Sequence, residues 1–282
     1  MTQPLLSLIN GTPSTDLSVQ DRGVAYGDGI FETMRIVYDK NTGSAHIPLF
    51  SEHLLRFEAG ITRLKLGVVN ELLARFNQDV LLALLSVSEN AICKVILTRG
   101  VGGSGYKPLS VPDGQLITQI LNMPDYPGAS QFGVSVKTCQ TRLAMQPSLA
   151  GIKHLDRLEQ VLASQELGGE QEGLMLDQNG HVIEGIKSNL LLFEGTKIVT
   201  PLLENCGVNG TLRQHLISNA DTLGIQIEEG IIDQNRCNNA GGLAMINSVF
   251  GCWPVSHLDG DILPVPPLCK TVQAYLKQHL GY

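Results

Sequence analysis

Ser148-Leu149-Ala150-Gly151-Ile152-Lys153-His154-Leu155-Asp156-Arg157-Leu158-Glu159-Gln160 is the stretch on which the reading of this chain turns. Leu155, Leu158, Val161 and Leu162 recur at helical spacing. The pattern predicts a helix over 152–166, with those four residues on its buried face and Lys153 at its head. Taken alone, Lys153 reads as a solvated surface charge. Desolvation disfavours an ammonium, and an amine so placed becomes a nucleophile and a proton carrier near neutral pH.

Working outward from Lys153, the residue types that follow belong to one kind of chemistry. Glu184 ends a strand-like run, Val182-Ile183-Glu184-Gly185, and Ser188-Asn189 come just after it. Gly207-Val208-Asn209-Gly210 then opens a helical segment. Backbone N–H groups at a helix start, with the helix dipole behind them, suit a phosphate. Asn247-Ser248 ends another strand and offers an amide and a hydroxyl, and Arg56 supplies a cation. Each has a bland alternative: a strand-end carboxylate facing water, an ordinary helix-entry turn, a solvated arginine. Together, an amine, a carboxylate and an anion-binding turn are what a protein needs to hold a phosphorylated pyridine aldehyde. The amine forms a Schiff base, the carboxylate pairs with the ring nitrogen and the turn takes the phosphate.

The surrounding pattern alternates strands and helices. In the first half, strands are expected over 5–9, 30–37, 91–98 and 115–121, with an Asn10-Gly11 turn after the first. Helices are expected over 53–66, with Ser51 as N-cap, and over 71–86. Arg99-Gly100-Val101-Gly102-Gly103-Ser104-Gly105-Tyr106 is a glycine-rich loop. Asn122-Met123-Pro124-Asp125-Tyr126-Pro127-Gly128 reads as a linker. The division is therefore 1–122, linker 123–128, and 129–282. Beyond it, strands over 133–139 and 225–230 flank a meander at 173–176, 181–184, 189–193 and 197–200. A strand over 244–247 follows, with helices over 211–223 and 271–280. The sum is two α+β domains, each built on a largely antiparallel sheet.

Composition narrows the function. The chain has 282 residues, is 43% hydrophobic and carries a net charge of −7 without a basic run, which argues against nucleic acid as a partner. Six scattered cysteines form no Cys-x-x-Cys pair, so neither a zinc site nor a disulfide framework is expected. The start, Met1-Thr2-Gln3-Pro4, has no basic region of a signal peptide. The longest apolar run, Val80-Leu81-Leu82-Ala83-Leu84-Leu85, is far short of the roughly 20 residues that span a membrane. A cytoplasmic protein without a membrane partner is expected.

The 148–160 stretch resembles the lysine segment of 4-amino-4-deoxychorismate lyases. These belong to the fold-type IV pyridoxal-phosphate family, together with branched-chain and D-amino-acid aminotransferases. The resemblance continues through Asp21-Arg22-Gly23, Tyr26-Gly27-Asp28-Gly29-Ile30-Phe31-Glu32-Thr33, the loop at 99–106, Glu184 with Ser188-Asn189-Leu190, and Gly207–Gly210 with Arg213. It runs in order over nearly the whole chain. It implies the two-domain architecture of D-amino-acid aminotransferases, with pyridoxal 5′-phosphate as cofactor and a homodimer. Lys153 would form the Schiff base and Glu184 would face the ring nitrogen. Arg56, Asn189, Val208, Asn209 and Ser248 would join them in cofactor binding, and Thr33, Arg99 and Tyr106 are candidate substrate contacts. The implied reaction converts 4-amino-4-deoxychorismate, a small dicarboxylate, to 4-aminobenzoate and pyruvate in folate biosynthesis. D-amino-acid or branched-chain amino transfer on the same fold is the alternative, and a cofactor-binding protein without activity the more distant one. Two positions depart from the pattern. Leu191 stands where an aromatic residue commonly follows Asn-Leu, and Ser104 stands where related lyases can carry a further cation.

Overall fold

The structure, a computed structural model, describes residues 4–282. The chain separates into two compact units. The first comprises Met1–Pro124 together with Ile152–Asp156, the second Asp125–Gly151 and Arg157–Tyr282.

The first unit contains β1 (Leu6–Ile9), β2 (Thr12–Pro13), α1 (Arg22–Tyr26), β3 (Gly29–Asp39), β4 (Ser44–His46), α2 (Phe50–Leu64), α3 (Val69–Leu85), β5 (Ala91–Thr98) and β6 (Gln115–Asn122). The strands form an antiparallel sheet in the order β2-β1-β6-β5-β3-β4. Alternation on β3 buries Ile30, Glu32, Met34 and Ile36 on one face. That face packs with Phe57 and Ile61 of α2 and Phe76 of α3, the two phenylalanine rings 4.5 Å apart. Helix α2 begins one residue before Ser51, which therefore does not cap it. Leu49 is the N-cap, in a left-handed conformation and buried, so packing of an apolar residue sets the entry into this helix.

Residues 152–156 are not the head of a helix. Phe31 N–H donates to Lys153 O at 2.9 Å, and Leu155 N–H to Gly29 O at 3.0 Å. Ile30 and His154 form an antiparallel bridge between them. The segment is extended, laid along the start of β3, and Ile152 is buried in the first unit's core. Backbone pairing and that anchor override the helical spacing, and the helix begins only at Leu158.

The second unit contains α4 (Ala129–Phe132), β7 (Val134–Leu143), α5 (Leu158–Gln165), β8 (Glu172–Asp177), β9 (Val182–Gly185), β10 (Asn189–Glu194), β11 (Lys197–Pro201), α6 (Thr211–Ser218), α7 (Ala220–Leu223), β12 (Gln226–Gly230), α8 (Gln234–Asn238), β13 (Leu243–Asn247), β14 (Gly251–Leu258), β15 (Asp261–Ile262) and α9 (Pro267–Leu280). The sheet order is β12-β11-β10-β13-β14-β7-β8-β9, with β15 on β14. Three pairings are parallel: β11 with β12, β14 with β7, and β7 with β8. This sheet is mixed, and the expected meander is interrupted because β10 pairs with β11 and β13 rather than with β9. The turn after β9 is tied to buried Glu172, which accepts from Ile186 N–H at 3.0 Å and from the Ser188 hydroxyl at 2.8 Å. That anchor turns the chain away before a ladder can form. The 211–223 helix divides at Asn219, whose side-chain amide donates to His215 O at 2.8 Å and competes with the helical ladder. On α5 the buried residues are Gln160 and Ala163, whereas Leu158, Val161 and Leu162 are exposed, the reverse of the expected face.

Candidate active site

In the first unit, β3 and α2 build a buried charge cluster. The Arg56 guanidinium donates from Nε to Glu32 Oε1 at 2.7 Å and from Nη2 to Oε2 at 2.5 Å. His53 Nδ1 lies 2.6 Å from the same Oε2. Burial by itself would raise the Glu32 carboxyl. The Arg56 charge and its hydrogen bonds, with help from His53, instead hold it down at about 2. Burial pushes His53 below its ordinary value against the pull of Glu32, and the charges of Arg56 and Lys153 add to the lowering. A bidentate fork therefore fixes the plane of Arg56, with a neutral imidazole behind it.

Lys153 stands on the same unit, its Nζ 4.5 Å from the centroid of the Phe31 ring. Thr33 is on β3 directly opposite Lys94 of β5. Arg99 lies at the far end of that strand pair, five residues beyond Lys94, which is roughly 17 Å at 3.4 Å per residue. Its guanidinium donates to Asp28 Oδ2 at 2.8 Å, Lys65 O at 2.7 Å and Leu64 O at 2.8 Å. The Tyr106 ring is 86% exposed and 5.4 Å from that of Tyr26. The structure thus groups Thr33 with Lys94, and places Arg99 with Asp28 and the last carbonyls of α2.

In the second unit, Glu184 is buried on β9 and its Oε2 accepts from Val208 N–H at 2.8 Å. Gly207–Gly210 is held from several directions. Gly151 N–H donates to Gly207 O at 2.8 Å, and Asn209 N–H to Gly151 O at 3.2 Å. The Asn189 amide donates to Val208 O at 2.9 Å, and Arg213 to Asn209 Oδ1 at 3.0 Å. A Cβ on Gly210 would fall 2.0 Å from Asn189 Oδ1, so only glycine permits this approach. Gly151, which grips the turn, is two residues before Lys153 in the chain. The backbone N–H groups of Val208 and Asn209 are engaged in this scaffold. The first intrahelical bond of α6 runs from Gln214 N–H to Gly210 O, so the N–H groups of Thr211, Leu212 and Arg213 precede its ladder. The sequence placed the start of this helix at Thr211, where α6 begins, but its reading picked out Val208 and Asn209 and not the first-turn residues Thr211 and Leu212.

Ser248 follows β13, against which α6 packs. Its carbonyl accepts from the Tyr282 hydroxyl at 2.8 Å, and the Asn247 side chain accepts from the N–H groups of Val249 and Phe250, both at 2.9 Å. Gln160 lies beside Glu184, its Nε2 at 3.5 Å from Oε1. Its buried Oε1 has no hydrogen-bond partner among the described residues. The unmatched amide oxygen, the carboxylate tied to the glycine turn and the first turn of α6 fit a phosphorylated ring with a protonated nitrogen. Among the described residues no cluster of three or more His, Cys, Asp or Glu is arranged to hold a metal, and no helix is long and apolar enough to cross a membrane.

Lys153 lies on an extended segment of the first unit and Glu184 braces a glycine turn within the second, and the sequence agrees with a known class. The chain belongs to the amino-transferase class IV family, which residues 29–258 match. Among its relatives, the aminodeoxychorismate lyase of Vibrio harveyi is 32% identical over 275 residues, covering 95% of this chain and 98% of that protein. The crystal structure of 4-amino-4-deoxychorismate lyase from Pseudomonas aeruginosa superposes with a TM-score of 0.91 at 38% identity, covering 98% of this chain and all of that one. A pyridoxal-phosphate-bound hypothetical aminotransferase from Mycobacterium tuberculosis shares the fold, with a TM-score of 0.82 at 20% identity over 98% of this chain and 99% of that one.

Proposed function

We propose that this chain is a pyridoxal-phosphate-dependent lyase that converts 4-amino-4-deoxychorismate to 4-aminobenzoate and pyruvate. The observation that carries the cofactor reading is the hydrogen bond from Val208 N–H to Glu184, which ties the carboxylate that would face the ring nitrogen to the turn leading into α6. The preference for a lyase over amino transfer rests on the full-length likeness to two proteins that bear the lyase name.

When bound, pyridoxal phosphate supplies an electron sink beside the substrate amine. Glu184 keeps the ring nitrogen protonated. Arg56, fixed in its plane by Glu32, supplies the cation for the phosphate, with Ser248 and the first-turn N–H groups of Thr211 and Leu212. Val208, Asn209 and Asn189 shape the cup from behind. Lys153 holds the cofactor at rest, and its freed Nζ takes the proton from ring carbon 4 of the substrate. Departure of the enolpyruvyl group from carbon 3 leaves an aromatic ring, and the proton taken from carbon 4 ends in pyruvate. Thr33 is the substrate contact in this reading, since Arg99 is held by Asp28 and two carbonyls at the far end of the strand pair and Tyr106 is exposed. We also read the protein as a cytoplasmic homodimer in folate biosynthesis. The exposed Leu158, Val161 and Leu162 on one short helix are consistent with a partner surface.

The test supplies the purified protein with pyridoxal phosphate and 4-amino-4-deoxychorismate and follows both products. Equal amounts of 4-aminobenzoate and pyruvate are expected, abolished by Lys153→Ala. Near-normal turnover by that variant would overturn the role of Lys153. Amino transfer from D-alanine or a branched-chain amino acid to 2-oxoglutarate, without 4-aminobenzoate, would overturn the lyase.

A further inference from the structure

Asn247 and Gly251 are paired across β13 and β14, so residues 248–250 form a three-residue hairpin loop that carries Ser248. Such a loop commonly closes through a residue of left-handed conformation, and Gly251 supplies it with φ +79°. Asn247 holds the loop from within. Its amide oxygen accepts from the N–H groups of Val249 and Phe250, and its amide nitrogen donates to Lys187 O at 3.0 Å. None of these bonds reaches the Ser248 carbonyl.

That carbonyl is held from outside the hairpin, by way of α9. The helix buries Cys269, Val272 and Leu276 and packs on β14. The Gln273 amide fastens it, donating to Cys252 O at 3.0 Å and to Ser130 O at 2.7 Å. Gly281 ends the helix in a left-handed conformation, and the N–H of Tyr282 reaches back to Leu276 O at 3.5 Å. The chain therefore doubles back, and the Tyr282 side chain falls on the hairpin loop. Its hydroxyl donates to Ser248 O at 2.8 Å. Its ring covers Gly251, where an added Cβ would stand 2.9 Å from Tyr282 Cδ1 and 3.0 Å from Cγ. One side chain thus spans the loop from Gly251 to Ser248, a fit beyond what ending a helix requires.

We propose that Tyr282 is a positioning residue for the cofactor phosphate, acting through Ser248. The inference rests on the reading of Ser248 as a phosphate contact and deepens it. The phenol fixes the peptide plane that follows Ser248, while Asn247 fixes the two N–H groups beyond it. The serine hydroxyl then meets the phosphate from an ordered backbone, and less freedom is lost on binding. Without the phenol the loop keeps its Asn247 bonds, but the Ser248 peptide turns more freely.

The experiment titrates the whole chain, freed of cofactor, with pyridoxal 5′-phosphate and with pyridoxal, which lacks the phosphate. The ratio of the two affinities reads the contribution of the phosphate, and a general loss of stability leaves that ratio unmoved. Loss of one hydrogen bond predicts a fall in the ratio of roughly 3- to 10-fold in Tyr282→Phe, with pyridoxal affinity unchanged. The phosphorus resonance of the bound cofactor should shift as well. Ser248→Ala should lower the ratio too. Adding Tyr282→Phe to it should lower the ratio little further, because both changes act on one contact. An unaltered ratio and phosphorus resonance in Tyr282→Phe would overturn the proposal. So would equal losses for both ligands, the mark of a merely structural role, or full additivity in the double variant. Should Tyr282→Phe fail to fold, an unaltered ratio in Tyr282→Leu would overturn it equally. An unaltered ratio in Ser248→Ala would instead overturn the phosphate role of Ser248 on which the proposal rests. A wild-type protein that binds both ligands alike would overturn the phosphate site as a whole.

Discussion

Replacing Glu32 by Gln tests the buried cluster that orients Arg56. Glu32 is 1% exposed and accepts from both Arg56 and His53, so solvent screens the interaction little. Its carboxyl is held at about 2 against an ordinary 4.5. At about 1.4 kcal/mol for each tenfold change in proton affinity, that difference corresponds to about 3 kcal/mol at neutral pH. Removing one partner of a buried ion pair independently costs about 3–5 kcal/mol, because the other charge is left uncompensated. Both routes lead to a loss of about 3 kcal/mol for Glu32→Gln, read by urea denaturation at pH 7. The sign with pH follows from the depressed folded value. The stabilisation is fully present above 4.5, shrinks as the unfolded chain takes up its proton, and is gone as pH falls through about 2. The gap between wild type and variant should therefore narrow steadily below pH 4.5. Arg56 would also lose its fixed plane, so affinity for pyridoxal phosphate should fall. A stability gap below 1 kcal/mol at pH 7, or one as large at pH 3 as at pH 7, would refute the reasoning.

Two further outcomes follow from local packing. Gly210→Ala puts a methyl group where Asn189 Oδ1 now lies, although the backbone conformation at Gly210 suits any residue. It should lower stability by about 1–3 kcal/mol and weaken cofactor binding, and an unchanged melting temperature and cofactor affinity would count against the close approach. All six cysteines are buried, and burial pushes Cys93, Cys206 and Cys237 to about 12 and Cys139 to about 11. The native protein should be inert to an aromatic disulfide reagent at pH 8 and release six thiols on denaturation. Rapid labelling in the native state would show that these thiols are reachable.

The strands of the first sheet were legible because one face is buried and the other is not. Alternation in Ile30–Ile36 and in Ala91–Leu97 marks that asymmetry within a few residues. The glycine turn at 207–210 and Glu184 were legible as residue types suited to a pyridine phosphate. The cluster of Glu32, His53 and Arg56 was only partly legible. Arg56 stood out as a cation, but its fork depends on a strand and a helix meeting, and no local spacing encodes that.

The sequence by itself determined the positions of four of the six strands of the first sheet, because runs of apolar and β-branched residues between turn signals mark them locally, whereas the order β2-β1-β6-β5-β3-β4 came from tertiary pairing. Tertiary structure decided the conformation of the segment bearing Lys153. Its leucine spacing favours a helix, but hydrogen bonds to β3 and burial of Ile152 hold residues 152–156 extended. It also decided that Leu158, Val161 and Leu162 are exposed, and that Val208 and Asn209 direct their N–H groups into the scaffold. Each of these depends on a partner distant in sequence, and local pattern cannot specify a long-range backbone pairing that outweighs it.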